Sequence, residues 1–275
     1  MKKSILIACL GLVSLGLQAQ SISLAGEWNV ELGKSGSAFA KSKRASQGEV
    51  KRAILPGTID TNHLGFAPKD TMETTHLTRL YAYKGAARYS RTINIPKDWK
   101  KKPVELFLER TRPTWVYVDG ELVDSCNFIS TPQRYLLPKK VKPGKHLLEI
   151  VVDNGRGVPD QVYGSSHAYT EDTQTNWNGI IGEIRLKVKS EERSVKKQRS
   201  ASEGKANSNV LPDFAKDFHI EGAHFYANGH RIFLRGKHDA AVWPLTGHVE
   251  MSVEGWMKYL GTCKEYGINH VRFHS

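Results

Sequence analysis

The sequence predicts a mainly β protein: a jelly-roll β-sandwich, then a linker, then the first two strands of a truncated (β/α)8 barrel. Three observations carry this. Residues 21–189 hold short runs in which apolar and polar residues alternate, separated by turn residues. Residues 190–213 are polar and basic almost throughout. Residues 214–275 then change character, with a hairpin, a stretch of helical spacing and a new alternating run.

The first twenty residues, "MKKSILIACLGLVSLGLQAQ", predict a signal peptide. Lys2 and Lys3 form a basic start, Ile5 to Leu17 an apolar stretch, and cleavage is expected after Ala19 or Gln20. That stretch is too short to span a bilayer. "LIAC" resembles a bacterial lipobox, but Cys9 has almost no apolar run before it, so no lipid anchor is expected there. The mature protein is expected to be exported, periplasmic or secreted. Its remaining cysteines, Cys126 and Cys263, are expected as buried free thiols in different domains.

Within residues 21–189, "GEWNVEL", "ARYSRTINI", "PVELFLE", "TWVYVDGELV", "KHLLEIVVDN" and "IGEIRLKV" are the predicted strands. Alternation at this length signals half-buried antiparallel sheets, and strands so spaced, with no convincing helix among them, indicate a sandwich. Asp119-Gly120 predicts a two-residue hairpin, because a type I′ turn needs positive φ at both central positions. Trp28 and Trp99 are expected in the core or at its edge. Residues 190–213 contain too little apolar surface to order themselves and predict a flexible basic linker.

Beyond the linker, "AHFYANGHRIFLRG" predicts a hairpin about Asn228-Gly229. "VEMSVEGWMKYLGTCKEYG" predicts a helix with an apolar stripe of Val253, Trp256, Met257 and Leu260 that gives out at Lys264. Ser252 is its expected N-cap, with Glu254 in the first turn, and Gly267 its expected C′ residue. "INHVRFH" begins another strand. Strand, helix, strand opens an α/β domain with a parallel sheet, and a whole barrel takes about 250 residues. The segment 214–275 is therefore expected to be an incomplete barrel.

Composition limits the function. With 39% hydrophobic and 25% charged residues the chain is expected to be soluble and globular, with no membrane span. Its net charge of +12 invites a nucleic-acid reading, but the basic residues fall in separate patches, Lys34 to Arg52, Lys97 to Lys102, Lys139 to Lys145 and Arg193 to Lys205. No nucleic-acid-binding motif accompanies them, so solvated loops are expected and no nucleic-acid partner. There is no Gly-rich phosphate loop and no nucleophile elbow. His270 and His274 lie about 13 Å apart along a strand, too far to share a metal, so neither metal nor cofactor is expected.

Alternation places His270, Arg272 and His274 on one face of the last strand and Val271 and Phe273 on the other. Polar residues at the C-terminal ends of barrel strands are where active sites are built. "LRGKHD" brings Arg235, His238 and Asp239 to the preceding strand. Arg235, His238, Asp239, Arg272 and His274 are thus candidates to line a polar cleft for a hydroxyl-rich ligand; the alternative is that they hold the barrel mouth together. The loop before the last sandwich strand holds Glu171, Trp177 and Asn178, and Trp177 there either offers an aromatic face to a ligand or packs the domain against its neighbour.

"LAGEWNVEL", "LPGTID", "ARYSRTINIP", "WVYVDGELV", "PGKHLLEIVVDN" and "NWNGIIGEIRL", followed in order by "FYANGHRIFLRGKHDA" and "CKEYGINHVRFHS", resemble the N-terminal part of glycoside hydrolase family 2. That family includes β-galactosidases, β-glucuronidases and β-mannosidases. The resemblance covers Leu24 to Lys189 and Phe218 to Ser275. It implies a sugar-binding jelly roll joined to the start of a catalytic barrel, and a retaining, β-galactosidase-like hydrolase acting on terminal β-linked sugars of oligosaccharides. Such an enzyme uses two glutamates about 5 Å apart as acid/base and nucleophile. In the family these lie on later barrel strands, so no catalytic residue is assigned in this chain, and the chain alone is expected to be inactive. Arg235, His238 and Arg272 match supporting positions implied to orient those carboxylates and touch sugar hydroxyls. Two departures stand out: a basic linker replaces the family's immunoglobulin-like domain, and "RFHS" stands where the family reads Arg-x-Ser-His-Tyr-Pro. The alternative function is a non-catalytic carbohydrate-binding sandwich, and a third is a basic module adhering to acidic polysaccharide.

Overall fold

The computed structural model describes residues 21–34, 49–68, 72, 74–189 and 217–273. The expected signal peptide with Cys9, the linker and His274 lie outside the described residues.

Two antiparallel sheets face each other. One orders the strands β1 (Ser21–Ser23), β12 (Ile184–Val188), β6 (Val104–Leu108) and β9 (Gln133–Leu136). The other orders β3 (Lys51–Leu55), β2 (Gly26–Gly33), β5 (Ala86–Ile95), β10 (Gly144–Asp153), β7 (Thr114–Val118) and β8 (Glu121–Cys126). A small pair, β4 (Gly57–Thr58) with β11 (Gly179–Ile180), closes one end. Trp28, Val30, Tyr89, Ile150 and Val116 from the larger sheet meet Leu106, Leu108, Ile184 and Leu186 from the smaller in one buried core. Alternation along each strand puts these residues on the inner face. Trp28 and Trp99 belong to that core.

Each strand read from alternation is present. Asp119 and Gly120 have φ of 51° and 76°, as the hairpin between β7 and β8 requires. Burial departs from a simple half-buried pattern at β6, which is buried at every position, and along the paired halves of β5 and β10. There the outer face carries a second apolar cluster of Ala86, Tyr117 and Val151, together with a buried Arg88–Glu149 ion pair at 2.8 Å. A short α-helix, α1 (Asp160–Ser165), interrupts the β region where none was expected. It carries no buried residue, so it leaves no apolar stripe to read in the sequence.

Residues 217–273 form a three-stranded antiparallel sheet, β13 (Phe218–Glu221), β14 (His224–Ala227) and β15 (His230–Ile232), then β16 (Gly236–Asp239), α2 (Val253–Glu265) and β17 (His270–Phe273). The β14–β15 hairpin turns at Asn228-Gly229 with φ of 51° and 73°. β16 and β17 pair in parallel across α2, a β-α-β unit. Ser252 Oγ accepts from Gly255 N at 3.0 Å and caps the helix. At its other end Gly267 N donates to the Lys264 carbonyl at 2.8 Å and Ile268 N to the Cys263 carbonyl at 3.0 Å. That is a Schellman closure, with Gly267 at φ 73°.

The helix corrects one expectation. Val253, Met257 and Leu260 are exposed, whereas Cys263 is buried and Trp256 and Tyr259 pack with Trp243. Trp243 arrives from the loop after β16 and selects the helix face one position away from the predicted stripe, a tertiary choice that periodicity does not encode. Cys126 and Cys263 are free thiols, but Cys126 is only half-buried.

Candidate functional site

The register of the parallel pair sorts the predicted residues. Gly236 lies beside His270 and His238 beside Arg272, while Lys237 and Asp239 lie beside Val271 and Phe273. The second set faces α2: Lys237 Nζ sits 5.0 Å from the Tyr259 ring and Trp256 packs on Phe273 at 5.4 Å. His238, His270 and Arg272 therefore share the opposite, exposed face. Asp239 is not with them. It pairs with Lys237 at 2.9 Å and accepts from Ala241 N at 2.8 Å, which tightens the turn after β16. Burial works against its charge, but Lys237 and that amide outweigh it and hold the carboxyl below its usual range.

Arg235 stands before β16, not at its end. Phe233–Arg235 is held by Asn269, whose Oδ1 accepts from Arg235 N at 2.8 Å and whose Nδ2 donates to the Phe233 carbonyl at 2.9 Å. Arg235 Nε donates to the Gly267 carbonyl at 2.7 Å, at the C-terminus of α2 where a cation is favoured. Of the five predicted residues, His238 and Arg272 are brought together, Arg235 and Asp239 are placed elsewhere, and His274 lies outside the described residues.

A second polar assembly sits where the sandwich meets the loop after β16. "LPGTIDTN" forms a closed turn: Asn62 accepts from Ile54 N at 2.6 Å and donates to the Ile54 and Thr58 carbonyls at 3.0 and 2.8 Å. The turn presents Asp60 to Arg79, which grips both carboxylate oxygens at 2.9 and 2.7 Å and reaches Glu171 at 3.2 Å. Burial alone would lower the Arg79 pKa, but its two carboxylates outweigh this and raise it. Glu171 is pushed up by burial despite Arg79. A cavity of about 220 Å³ opens there, lined by Asp60, His63, Arg79, Tyr81, Thr175 and Gly247 among others.

Behind it Arg112 is fully buried between Tyr169 and Trp177, 4.3 and 4.1 Å from their ring centres. It donates to the carbonyls of Trp177, Ala168 and Thr175 at 3.0, 2.6 and 3.0 Å. Burial pulls its pKa down to about 10. Trp177 is thus a packing residue: one face is covered by Arg112, and His248 meets it edge-on at 6.2 Å. Asn178 is also buried, and its amide donates to the Gly85 and Val152 carbonyls at 2.9 and 3.0 Å. Thr175 N and Oγ1 both donate to the Gly247 carbonyl, at 2.8 and 3.1 Å, and dock the loop on the sandwich.

Sequence reading missed Asp60, Arg79, Arg112, His248 and Asn269. Their partners lie far away in the chain, so spacing carries no trace of them. The one available signal was a charged residue inserted between apolar runs, as Arg112 is between "LFLE" and "TWVYV". Among the described residues no group of three or more His, Cys, Asp or Glu side chains is placed to hold a metal ion.

No family model and no curated protein matches the sequence. Solved structures do match by fold. A Ruminococcus gnavus β-glucuronidase matches at 16% identity and TM-score 0.59 over 92% of this chain and 55% of its own. A Faecalibacterium prausnitzii β-glucuronidase matches at 14% identity and TM-score 0.57 over 92% and 55%. A GH2 β-galacturonidase from Eisenbergiella tayi matches at 17% identity and TM-score 0.56 over 92% and 53%. The chain spans about half the length of these structures. It therefore shares the fold of the family 2 glycosidases across that portion, as the sequence motifs implied.

Proposed function

We propose that the chain is the carbohydrate-facing, non-catalytic portion of an exported, retaining β-glycosidase of the family 2 type. The observation that carries this reading is the in-register placement of His238 beside Arg272 on the exposed face of the β16–β17 pair, opposite α2. In a barrel that face turns inward, toward the substrate. There a guanidinium and an imidazole would donate hydrogen bonds to sugar hydroxyls and orient a neighbouring carboxylate. β16, α2 and β17 would be the opening of that barrel, and the sandwich its rigid support. The neighbouring β-glucuronidases and β-galacturonidase support widening the substrate class from terminal β-galactosides to β-linked uronides.

Retaining hydrolysis needs two carboxylic residues about 5 Å apart, and none is assigned here. The test is to read the coding frame past Ser275 and assay the continuous product beside the 275-residue chain on 4-nitrophenyl β-galactoside, β-glucuronide and β-galacturonide. Hydrolysis with retained anomeric configuration by the longer product alone is expected. Turnover by the 275-residue chain, or none by the longer product, overturns the reading. So does a stop codon after Ser275, which would leave the sandwich as a carbohydrate-binding module.

A further inference from the structure

Two basic patches that are separate in sequence meet in the fold. Lys100, Lys101 and Lys102 come from the segment before β6, and Lys139 and Lys142 from the segment between β9 and β10. Together they rim a groove of about 440 Å³ that, among the described residues, no carboxylate lines. None of the five has an ion-pair partner among the described residues, whereas nearby Lys140 is paired with Glu121. Uncompensated like charges around one concavity are unfavourable in the free protein and are relieved by an anionic occupant. Both rims are ordered. Trp99, buried in the core, pins the first segment, and Lys100 N and Lys102 N donate to the Lys97 and Trp99 carbonyls at 3.2 and 3.0 Å. Val141 N donates to the Pro138 carbonyl at 2.9 Å and closes the second.

We propose that this groove binds an anionic polysaccharide bearing carboxylates along its chain. Its floor is aliphatic and proline-rich, a surface suited to the C–H faces of pyranose rings, with charge on the rims to meet pendant carboxylates. A membrane surface fits it less well, because its large apolar side chains form the floor and only Leu136, 56% exposed, stands out as an insertable group. Nucleic acid fits less well because the one aromatic lining residue among the described residues, Trp99, is 2% exposed and offers no face on which a base could stack. The groove lies at the Ile95/Gly144 end of the β5–β10 ladder, and the Thr175–Gly247 junction at its Ala86/Asp153 end. About 30 Å of paired strand separates them.

The proposal is independent of the glycosidase reading, since binding here requires no turnover. The experiment measures binding of the full chain to polygalacturonate, with neutral galactan, phosphatidylglycerol vesicles and a DNA duplex as comparators. Polygalacturonate is expected to bind best, and its affinity to fall about tenfold or more between low and moderate salt, as screening of several contacts requires. The double substitution Lys100→Glu/Lys139→Glu is expected to weaken binding at least tenfold, and Lys100→Gln/Lys139→Gln by an intermediate factor. The control Lys84→Glu/Lys258→Glu, with the same change in net charge, should leave it within about twofold. Absence of polygalacturonate binding, equal loss in the groove and control variants, or preference for galactan, vesicles or DNA overturns the proposal.

Discussion

The Arg112 guanidinium lies 4.1 Å from the centre of the Trp177 ring and donates to that residue's own carbonyl at 3.0 Å. One side chain thereby fixes both the backbone and the indole of the loop that receives the C-terminal segment. Its charge has no carboxylate partner among the ion pairs of the described residues, so its stabilisation comes from three carbonyls and two aromatic faces. Replacing Arg112 by Met would leave those carbonyls buried and unsatisfied, at a cost of about 3 kcal/mol or more. Lys should restore little, because a point charge cannot reproduce the planar fork. Urea unfolding midpoints of the two variants check this.

Arg79 compensates two acids at once. In Arg79→Met, Asp60 and Glu171 would face each other without it, and a loss of about 3–5 kcal/mol at neutral pH is expected. The deficit should shrink on acidification. Glu171 already has a raised folded pKa, so its protonated form favours folding, and that contribution is lost as pH rises through the folded value. Melting temperatures of both proteins between about pH 4 and 7 would reveal the convergence.

His146 uses both ring nitrogens, 2.6 Å from Asp119 Oδ2 and 2.6 Å from the Lys142 carbonyl. Two acceptors require two donors, so the imidazolium is the form that satisfies them. Burial opposes that charge, but these hydrogen bonds outweigh it and raise the His146 pKa; Asp119 is lowered, first by His146. The His146 contribution is present below about pH 6.5 and is lost as pH rises through its raised folded value. The Asp119 contribution is present above about pH 4 and is lost as pH falls through its lowered one. The stability difference between wild type and His146→Gln should peak between these limits and fade on either side of them, as melting temperatures against pH would show.

Gly247 has φ of 73°, and a Cβ there would overlap the Thr175 hydroxyl. Gly247→Ala should cost about 1–2 kcal/mol from the left-handed backbone alone and should undock the loop. Faster proteolysis within residues 240–250, with an unchanged sandwich melting transition, is the expected result. Loss of the sandwich transition itself would refute the docking role.

Asn269 bridges the peptides on either side of Leu234. Asn269→Ala should destabilise the β16–β17 pair by about 1 kcal/mol. Faster hydrogen exchange at Lys237 and His238, with the Ile150 and Leu148 amides unaffected, would report it.

What the sequence made legible was what short spacing controls. Asp119-Gly120 and Asn228-Gly229 turn as their residue types dictate, Ser252 caps its helix, and Gly267 closes it. The strands that alternate were read; β3 and β9 were not, since "KRAIL" groups its two polar residues ahead of three apolar ones and "QRYL" spans only four positions. The helix was located but its packed face was misread, because Trp243, contributed by a distant loop, decides it. For the site, period two correctly separated Arg272 from Val271, yet it had no means of showing that Asp239 turns toward α2 with Lys237. The Asp60–Arg79–Glu171 assembly joins residues up to 111 positions apart in number, and such contacts leave no local pattern.

The ten-residue antiparallel register of β5 with β10 has a mechanical consequence. A pull applied at the lysine groove on one strand and at the C-terminal segment on the other acts along the strands, so the rungs of the ladder bear the load together instead of peeling one by one. A domain tethered to a polymer at one end and to a working segment at the other would resist shear in its strongest direction.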